Sequence, residues 1–162
     1  MPILILLVSL FSVVTQSPLA LDRLEGRWTG AGQVRGQAVR AELQFEKVLG
    51  GKFTRLSYRF GEELPGPPKT FEVKFEGHAY YAACPGGQAC TGQWFDTLGF
   101  VRVINATQTA DTLASEWKTA GAEAGKSEYR IAPDGGLVVT DWVRGADGSF
   151  REFGRVMYSR GK

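Results

Sequence analysis

The stretch LEGRWTGAGQ, residues 24–33, decides how the chain is interpreted. It places Gly26 two residues before Trp28, just after an apolar N-terminal segment. Glycine weakens the interior of a strand, whereas tryptophan is a large apolar side chain that gains much from burial. The pair therefore predicts a first strand that bends at Gly26 and buries Trp28 against one end of a β-structure.

Apolar and polar residues alternate in the segments that follow this stretch. The alternation is clearest in AELQF (41–45), TRLSYRF (54–60) and FEVKFE (71–76). A period of two residues is typical of strands that bury one face and expose the other. Segments of similar composition predict further strands at 93–96, 100–105, 112–118, 127–132, 137–144 and 150–159.

Turn sequences separate these segments. LGGK (49–52) follows the second predicted strand, and LPGPP (64–68) follows the third. PDGG (133–136) and ADGS (146–149) separate the last three predicted strands from one another. Asp-Gly is the strongest short hairpin signal. Hairpins between nearly all neighbours indicate a sandwich or a barrel, and we favour the barrel because closure removes the sheet edges. The predicted fold is all-β, an antiparallel up-and-down β-barrel of about 8–10 strands.

The motif Gly26-Arg27-Trp28 resembles the G-x-W signature of the lipocalins and the wider calycin superfamily. The resemblance implies that the tryptophan closes the base of the barrel and that an arginine of the last strand packs across its ring. Such a cation–π contact contributes roughly 0.5 to 2 kcal/mol. The last predicted strand offers Arg155 and Arg160. We expect Arg155 to close the barrel together with Gly26 and Trp28.

A closer resemblance is to uncharacterised bacterial lipocalin-like domains. It rests on the order of short motifs that follow the early G-x-W, namely LGGKF (49–53), WFDTLG (94–99), Glu116-Trp117 and the region before Tyr129. A final strand rich in Phe, Tyr and Arg completes the series. The resemblance covers nearly all of residues 21–162 and implies a fold. It implies no particular function, because one fold serves many functions.

The predicted strand faces place many aromatic side chains inside the barrel. A barrel of this size can enclose one small ligand. We expect a small hydrophobic or aromatic molecule to be bound by Phe45, Tyr58, Phe75, Trp117 and Tyr129, and we expect no cofactor. The alternative is a barrel packed solid by these rings, which would act as a protein-binding module through its loops.

An enzyme of the same fold is a further alternative. Asp96 and Asp141 fall in otherwise apolar strands. A carboxyl with a raised pKa in such a place can act as a general acid or base for a cyclase, isomerase or hydrolase. An acid in such a place is more often a buried group satisfied by a neighbour such as Arg155 or Tyr158. His78 is the only histidine; it is predicted to face outward, and we expect no metal site.

The N-terminal segment is apolar and uncharged. ILILLVSLFSVV, residues 3–14, is shorter than the roughly 20 residues that span a bilayer and fits the apolar core of a secretory signal peptide. We expect a signal peptide over residues 1–20 and one domain over 21–162, secreted or periplasmic and without stable membrane insertion. In that compartment Cys84 and Cys90, in CPGGQAC, are expected to form a disulfide.

The distribution of charged residues along the chain argues against nucleic acid as a partner. The chain has 19 basic and 17 acidic residues, spread along its length. A nucleic-acid-binding surface usually shows clustered Lys and Arg, and the sequence forms no such cluster. We therefore expect a small hydrophobic ligand, and no nucleic acid, as partner. The sequence does not indicate an oligomeric state.

Overall fold

A computed structural model describes residues 18–68, 70–84, 87–120 and 123–161. Most of the predicted signal peptide, residues 1–17, lies outside the described residues. One short helix precedes a series of strands. These elements are α1 (Ala20–Leu24), β1 (Gly26–Val34), β2 (Gln37–Val48), β3 (Phe53–Glu63), β4 (Phe71–Ala82), β5 (Ala89–Asp96), β6 (Val101–Gln108), β7 (Thr112–Thr119), β8 (Ala124–Ile131), β9 (Leu137–Arg144) and β10 (Phe150–Arg160).

The strands form a closed antiparallel barrel. Each strand pairs with the next along the chain, and β1 also pairs with β10, so no edge is left open. This architecture confirms the predicted all-β, up-and-down barrel, and it is compatible with a lipocalin-like fold. We call the end that holds Trp28 the floor and the opposite end, with the turns at Arg35 and Leu98, the mouth.

Trp28 is buried at the floor, with 1% of its surface exposed. Its indole Nε1 donates a hydrogen bond to the carbonyl oxygen of Leu24, the last residue of α1, at 2.8 Å. The guanidinium of Arg160 lies over the ring, with its carbon 4.5 Å from the ring centroid. Arg160 also donates to the carbonyl oxygen of Glu25 at 2.8 Å. The tryptophan thus joins α1, β1 and β10.

The expectation that Arg155 closes the barrel is wrong. Arg155 pairs in register with Gln33, several residues above the floor, whereas Arg160 pairs with Trp28. Because successive side chains alternate between the two faces of a strand, residues 155 and 160 point to opposite sides of β10. Arg155 is therefore exposed on the outer surface, where its guanidinium binds the carboxylate of Glu152 at 2.7 Å.

Helix α1 packs across the floor of the barrel. Ala20 is fully buried, and its backbone N–H donates to the carbonyl oxygen of Thr109 at 2.8 Å. The backbone N–H of Leu21 donates to the side-chain oxygen of Gln108 at 3.0 Å. Gly26, with φ +116°, then turns the chain from α1 into β1, a conformation that glycine adopts readily. The predicted boundary between residues 20 and 21 falls inside this helix.

Cys84 and Cys90 form a disulfide, with their Cα atoms 4.7 Å apart. The bond closes the connection between β4 and β5 at the floor end. The side-chain amide of Gln108 donates to the carbonyl oxygen of Gly87 at 2.8 Å within this connection, so the same side chain contacts both α1 and the disulfide loop. Among the residues described, no helix is long and apolar enough to cross a membrane.

Candidate functional site

The interior of the barrel contains a cavity of about 220 Å³. It extends from the middle of the barrel to the mouth. Aromatic and aliphatic side chains make most of its wall, with a few polar groups among them. The lining residues are Val34, Arg35, Leu43, Tyr58, Phe60, Phe75, Tyr81, Trp94, Leu98, Arg102, Ile104, Ser115, Trp117, Glu123, Ser127, Tyr129, Val139, Asp141 and Phe153.

Four of the five residues expected to contact a ligand line this cavity, namely Tyr58, Phe75, Trp117 and Tyr129. The fifth, Phe45, is buried beneath the cavity and packs edge-on against Tyr129, with ring centroids 5.7 Å apart. Phe45 therefore supports the wall rather than forming it. Strand alternation was sufficient to place the four rings on the inner face, but it carries no information on their height along the barrel axis.

Four further aromatic residues line the cavity that were not predicted to contact a ligand, namely Phe60, Tyr81, Trp94 and Phe153. Phe60 and Trp94 lie on the same strand faces as other inward residues, so alternation within TRLSYRF and WFDTLG was a usable signal for both. Phe153 carried no such signal. It lies at an irregularity in β10, where the register shifts between Glu152 and Gly154, and such a bulge reorients side chains.

One side of the cavity is a continuous aromatic wall contributed by β3, β4 and β5. Phe75 stacks on Phe60, with ring centroids 5.1 Å apart and planes inclined by 23°. Trp94 stacks on the other side of Phe75, at 6.3 Å and 15°. Tyr58 packs against both Phe75 and Trp94. Offset stacking is a favoured arrangement of aromatic rings, so contacts among these side chains support the wall.

Two glycines make room for the indole rings of the cavity. A Cβ added at Gly77 would overlap ring atoms of Trp94, and one added at Gly125 would overlap the ring of Trp117. Glycine within a strand often marks such a close approach. The missing side chains let each indole lie flat against the neighbouring strand, and this leaves the centre of the cavity open.

Two carboxyl groups line the cavity, Glu123 at the mouth, which pairs with Arg102, and Asp141. Asp141 lies on β9 opposite Ser127 of β8, whose hydroxyl donates a hydrogen bond to Oδ1 at 2.5 Å. Burial raises the pKa of Asp141 to about 6, against a smaller opposing effect of the Ser127 hydrogen bond. Arg155, a predicted partner, is on the outer surface and paired with Glu152. Among the described residues, no cation pairs with Asp141.

Four buried phenols surround this carboxyl. Burial raises the pKa of each, and the charge of Asp141 raises it further. The hydroxyls of Tyr81 and Ser115 are hydrogen-bonded at 3.0 Å, and the pKa of Tyr81 is raised to about 12. All four phenols therefore stay neutral at physiological pH and serve as hydrogen-bond donors and acceptors. They are Tyr58, Tyr81, Tyr129 and Tyr158.

Asp96, the other acid singled out in the sequence, organises the turn at the mouth. Its side chain is fully buried. It accepts hydrogen bonds from Trp94 Nε1 at 2.9 Å and from the backbone N–H groups of Leu98 and Phe100 at 3.0 and 3.1 Å. Burial raises its pKa, but the hydrogen bonds from Trp94 and Arg102 outweigh burial, and the pKa is lowered. Asp96 is thus a satisfied, ionised structural group.

Arg102 sits at the mouth between two aromatic rings. Its guanidinium carbon is 4.9 Å from the ring centroid of Phe100 and 5.3 Å from that of Trp117. It forms ion pairs with Asp96 and, at 3.5 Å, with Glu123. Because two carboxylates flank this single cation, Arg102 offers no unpaired positive charge to a ligand.

His78 lies on the outer surface, as alternation indicated. Its Nδ1 is 3.1 Å from the hydroxyl of Ser57, and its Nε2 is 3.0 Å from the carboxylate of Glu76. No cluster of three or more potential metal ligands is found among the described residues.

Comparison with known proteins adds no relative to this description. No family model matches the chain, and no curated protein matches it. The function is therefore inferred from the cavity and the chemistry of the residues that line it.

Proposed function

We propose that this chain is a lipocalin-like barrel that binds one small aromatic molecule in its cavity. The observation that carries the proposal is the aromatic wall of Phe60, Phe75 and Trp94 facing an unfilled space. Close packing is the rule in protein interiors, and voids larger than a water molecule are few. A cavity of this size beside stacked rings supports ligand binding over a barrel packed solid.

The volume of the cavity limits the size of the ligand. An engineered apolar cavity of about 150 Å³ holds benzene, and sites for drug-sized ligands occupy about 300–1,000 Å³. The cavity here, at about 220 Å³, lies between these values. The ligand that fits best has one or two fused rings. A porphyrin, a retinoid or a long fatty acid would require the barrel to widen.

The disulfide supports the proposed location. Cys84 and Cys90 form a disulfide with each other, and disulfides persist chiefly in oxidising compartments. This supports a secreted or periplasmic binding protein, which is the location proposed from the apolar N-terminal segment. As in the sequence analysis, we propose neither a nucleic-acid partner nor stable insertion in a membrane.

Fluorescence titration tests the proposal directly. Trp94 and Trp117 both line the cavity, so binding of naphthalene is expected to quench tryptophan emission with an affinity on the order of micromolar. Replacing either ring, in Trp94→Phe and Trp117→Phe, should remove part of the quench. Absence of any quench in the wild-type protein, together with absence of binding heat by calorimetry, would overturn the proposal.

A pair of adjacent valines provides the matched control. Val139 lines the cavity, whereas Val138 is its neighbour on the outward face of β9. Val139→Phe should fill the space and abolish binding, and Val138→Phe should leave binding unchanged. Thermal unfolding of both variants checks that each still folds, since overpacking a core costs about 1–3 kcal/mol.

An enzyme of the same fold is the second candidate. It is favoured by one observation, the raised pKa of Asp141, about 6, beside phenols in the cavity. A group that titrates near neutral pH is suited to general acid–base chemistry. The distinguishing measurement is mass spectrometry of a cavity-bound compound after prolonged incubation. A product formed by the wild type and not by Asp141→Asn would favour the enzyme, and an unchanged compound would favour the binding protein.

A further inference from the structure

We propose that the aromatic ligand is a protonatable nitrogen compound, an aromatic amine or nitrogen heterocycle, whose N–H binds the Asp141 carboxylate while its ring lies on the aromatic wall. This inference deepens the proposed function and rests on it. Three features support it. Among the described residues, the unpaired charge inside the cavity is negative, the Asp141 carboxylate has acceptor sites without a donor, and the surrounding surface is aromatic.

Among the described residues, some charged side chains of the cavity lining form ion pairs, and Asp141 does not. Arg102 and Glu123 form an ion pair with each other at the mouth, and Arg102 also pairs with Asp96. Arg35 lies at the rim, with its guanidinium carbon 5.4 Å from the ring centroid of Phe153. Asp141 lies deeper, and no described lysine, arginine or histidine pairs with it. The depth of the cavity therefore carries an uncompensated acid.

The carboxyl of Asp141 has acceptor capacity to spare. A carboxylate has two oxygens with about four acceptor sites. The Ser127 hydroxyl donates to Oδ1, and among the described residues it is the one hydrogen-bond donor found for this carboxyl. A buried charge without a partner is costly, so a ligand that brings a donor with a positive charge gains the most here.

The surrounding rings favour the same kind of ligand. The faces of tryptophan, tyrosine and phenylalanine rings attract cations, and the effect is strongest for tryptophan. Trp94 and Trp117 both line the cavity together with Tyr58 and Phe75. Aromatic faces around a carboxylate stabilise an organic cation and repel an anion. An aromatic carboxylic acid of the same size is therefore expected to bind poorly.

Binding is expected to depend on pH through this carboxyl. Five ionisable groups act on Asp141 from the packed strands. Four are phenols with raised pKa values, which therefore stay neutral, and one is an outer-surface carboxylate that is paired with Arg155. They are Tyr58, Tyr81, Tyr129, Tyr158 and Glu152. Asp141 is the group among these that titrates near pH 6. Affinity for a cation should rise about tenfold per pH unit up to that point and then level off.

The experiment compares three two-ring probes by calorimetry from pH 5 to pH 8. They are 4-aminoquinoline, which stays protonated over this range, naphthalene, which is uncharged, and 1-naphthoic acid, which is anionic. At pH 8 the amine should bind at least about tenfold more tightly than naphthalene, since a hydrogen bond to a charged group contributes about 1.5–3 kcal/mol. The acid should bind more weakly than naphthalene. Only the amine should show the rise in affinity with pH.

Asp141→Asn tests the role of the carboxyl. It should lower the affinity for 4-aminoquinoline at pH 8 about 10- to 100-fold and lower the affinity for naphthalene much less, so that the preference for the amine over naphthalene is lost. The matched control is Glu128→Gln, which removes the same charge from the outer face of β8, where Glu128 pairs with Arg130. This control should change neither affinity. If Asp141→Asn does not fold, the pH profile of the wild type still decides the matter.

The outcomes separate the two proposals. Equal affinity for amine and naphthalene, with no pH dependence, would overturn the amine inference and leave the aromatic binding site intact. Tight binding of 4-aminoquinoline that is unchanged in Asp141→Asn would also overturn it. Absence of binding by all three probes would overturn the proposed function itself.

Discussion

Arg160 lies over Trp28, with its guanidinium carbon 4.5 Å from the centroid of the indole ring. This contact joins the last strand of the barrel to the first, at the position where the two are paired in register. The same indole donates to the carbonyl oxygen of Leu24 at 2.8 Å. One side chain, Trp28, therefore contributes both to closure of the barrel and to docking of α1.

Removal of this side chain should destabilise the whole barrel. Trp28→Ala is expected to lower the free energy of unfolding by roughly 3–5 kcal/mol, the usual cost of deleting a buried aromatic ring. Arg160→Ala should cost less, about 1–3 kcal/mol, because it removes a cation–π contact and two hydrogen bonds at an exposed position, to the carbonyl oxygens of Arg23 and Glu25. Urea denaturation measures both changes.

Arg155→Ala is the matched control for the floor. It removes the same kind of side chain from the same strand, but from an exposed ion pair with Glu152. Surface substitutions of this type usually stay within about 0.5 kcal/mol. Equal losses for Arg155→Ala and Arg160→Ala would contradict the role given to the Trp28 contact.

The fold could be predicted because its signals are local. Alternation in AELQF and the Asp-Gly turns at 133–136 and 146–149 depend on neighbouring residues alone, and the strands they predicted are present. The choice of Arg155 was wrong because it depended on register. Which residue of β10 lies opposite Trp28 is fixed by strand pairing across the whole length of the chain, and composition does not contain that information.

The site could be predicted only in part, for the same reason. Alternation placed Tyr58 and Trp117 on the inner face, and both line the cavity. It could not show that Asp141 lacks a cation, since that depends on which side chains face it from β8 and β10. It also could not show that Asp96 is saturated by hydrogen bonds from a turn, because an acid near a turn and an acid in a cavity look alike in sequence.

Gly77 is expected to be required for the aromatic wall. A Cβ at this position would overlap Trp94 ring atoms, so Gly77→Ala must push the indole into the cavity. The substitution should cost about 1–3 kcal/mol of stability and weaken binding of naphthalene. In a Trp94→Leu background the same change should cost much less, with a coupling energy of at least about 1 kcal/mol. Urea denaturation of the wild type, the two single variants and the double variant measures the coupling energy. Additive changes in the free energy of unfolding would contradict the contact between residue 77 and Trp94.

The disulfide should contribute modestly to stability. The two cysteines are separated by 6 residues in sequence, and closing so short a loop contributes about 2 kcal/mol in the chain-entropy model. Cys84→Ala combined with Cys90→Ala should lower the free energy of unfolding by about this amount. A reductant should destabilise the wild type equally and leave the double variant unaffected. Two free thiols in the denatured, unreduced protein would contradict the bond.

The buried carboxyl of Asp141 should make stability depend on pH in a direction opposite to that of an acid such as Asp96, whose pKa is lowered in the folded protein. Burial raises its pKa from 3.8 to about 6 in the folded protein. Between these values the folded state holds a proton that the unfolded state has lost. Stability therefore falls as pH rises from about 4 to about 6, because the unfolded state then binds fewer protons than the folded state.

Asp141→Asn isolates this effect. The side chain keeps its shape but cannot ionise, so the variant should gain stability relative to the wild type as pH rises, by about 3 kcal/mol in total between about pH 2.5 and pH 7, at roughly 1.4 kcal/mol per unit of pKa shift. Urea denaturation of both proteins at intervals across this range gives the difference curve. The curve should be flat below about pH 3, rise between about pH 4 and pH 6 and level off above pH 6. Parallel profiles for the two proteins would show that the Asp141 carboxyl titrates normally, and the expected rise of amine affinity between pH 5 and pH 6 would then be lost.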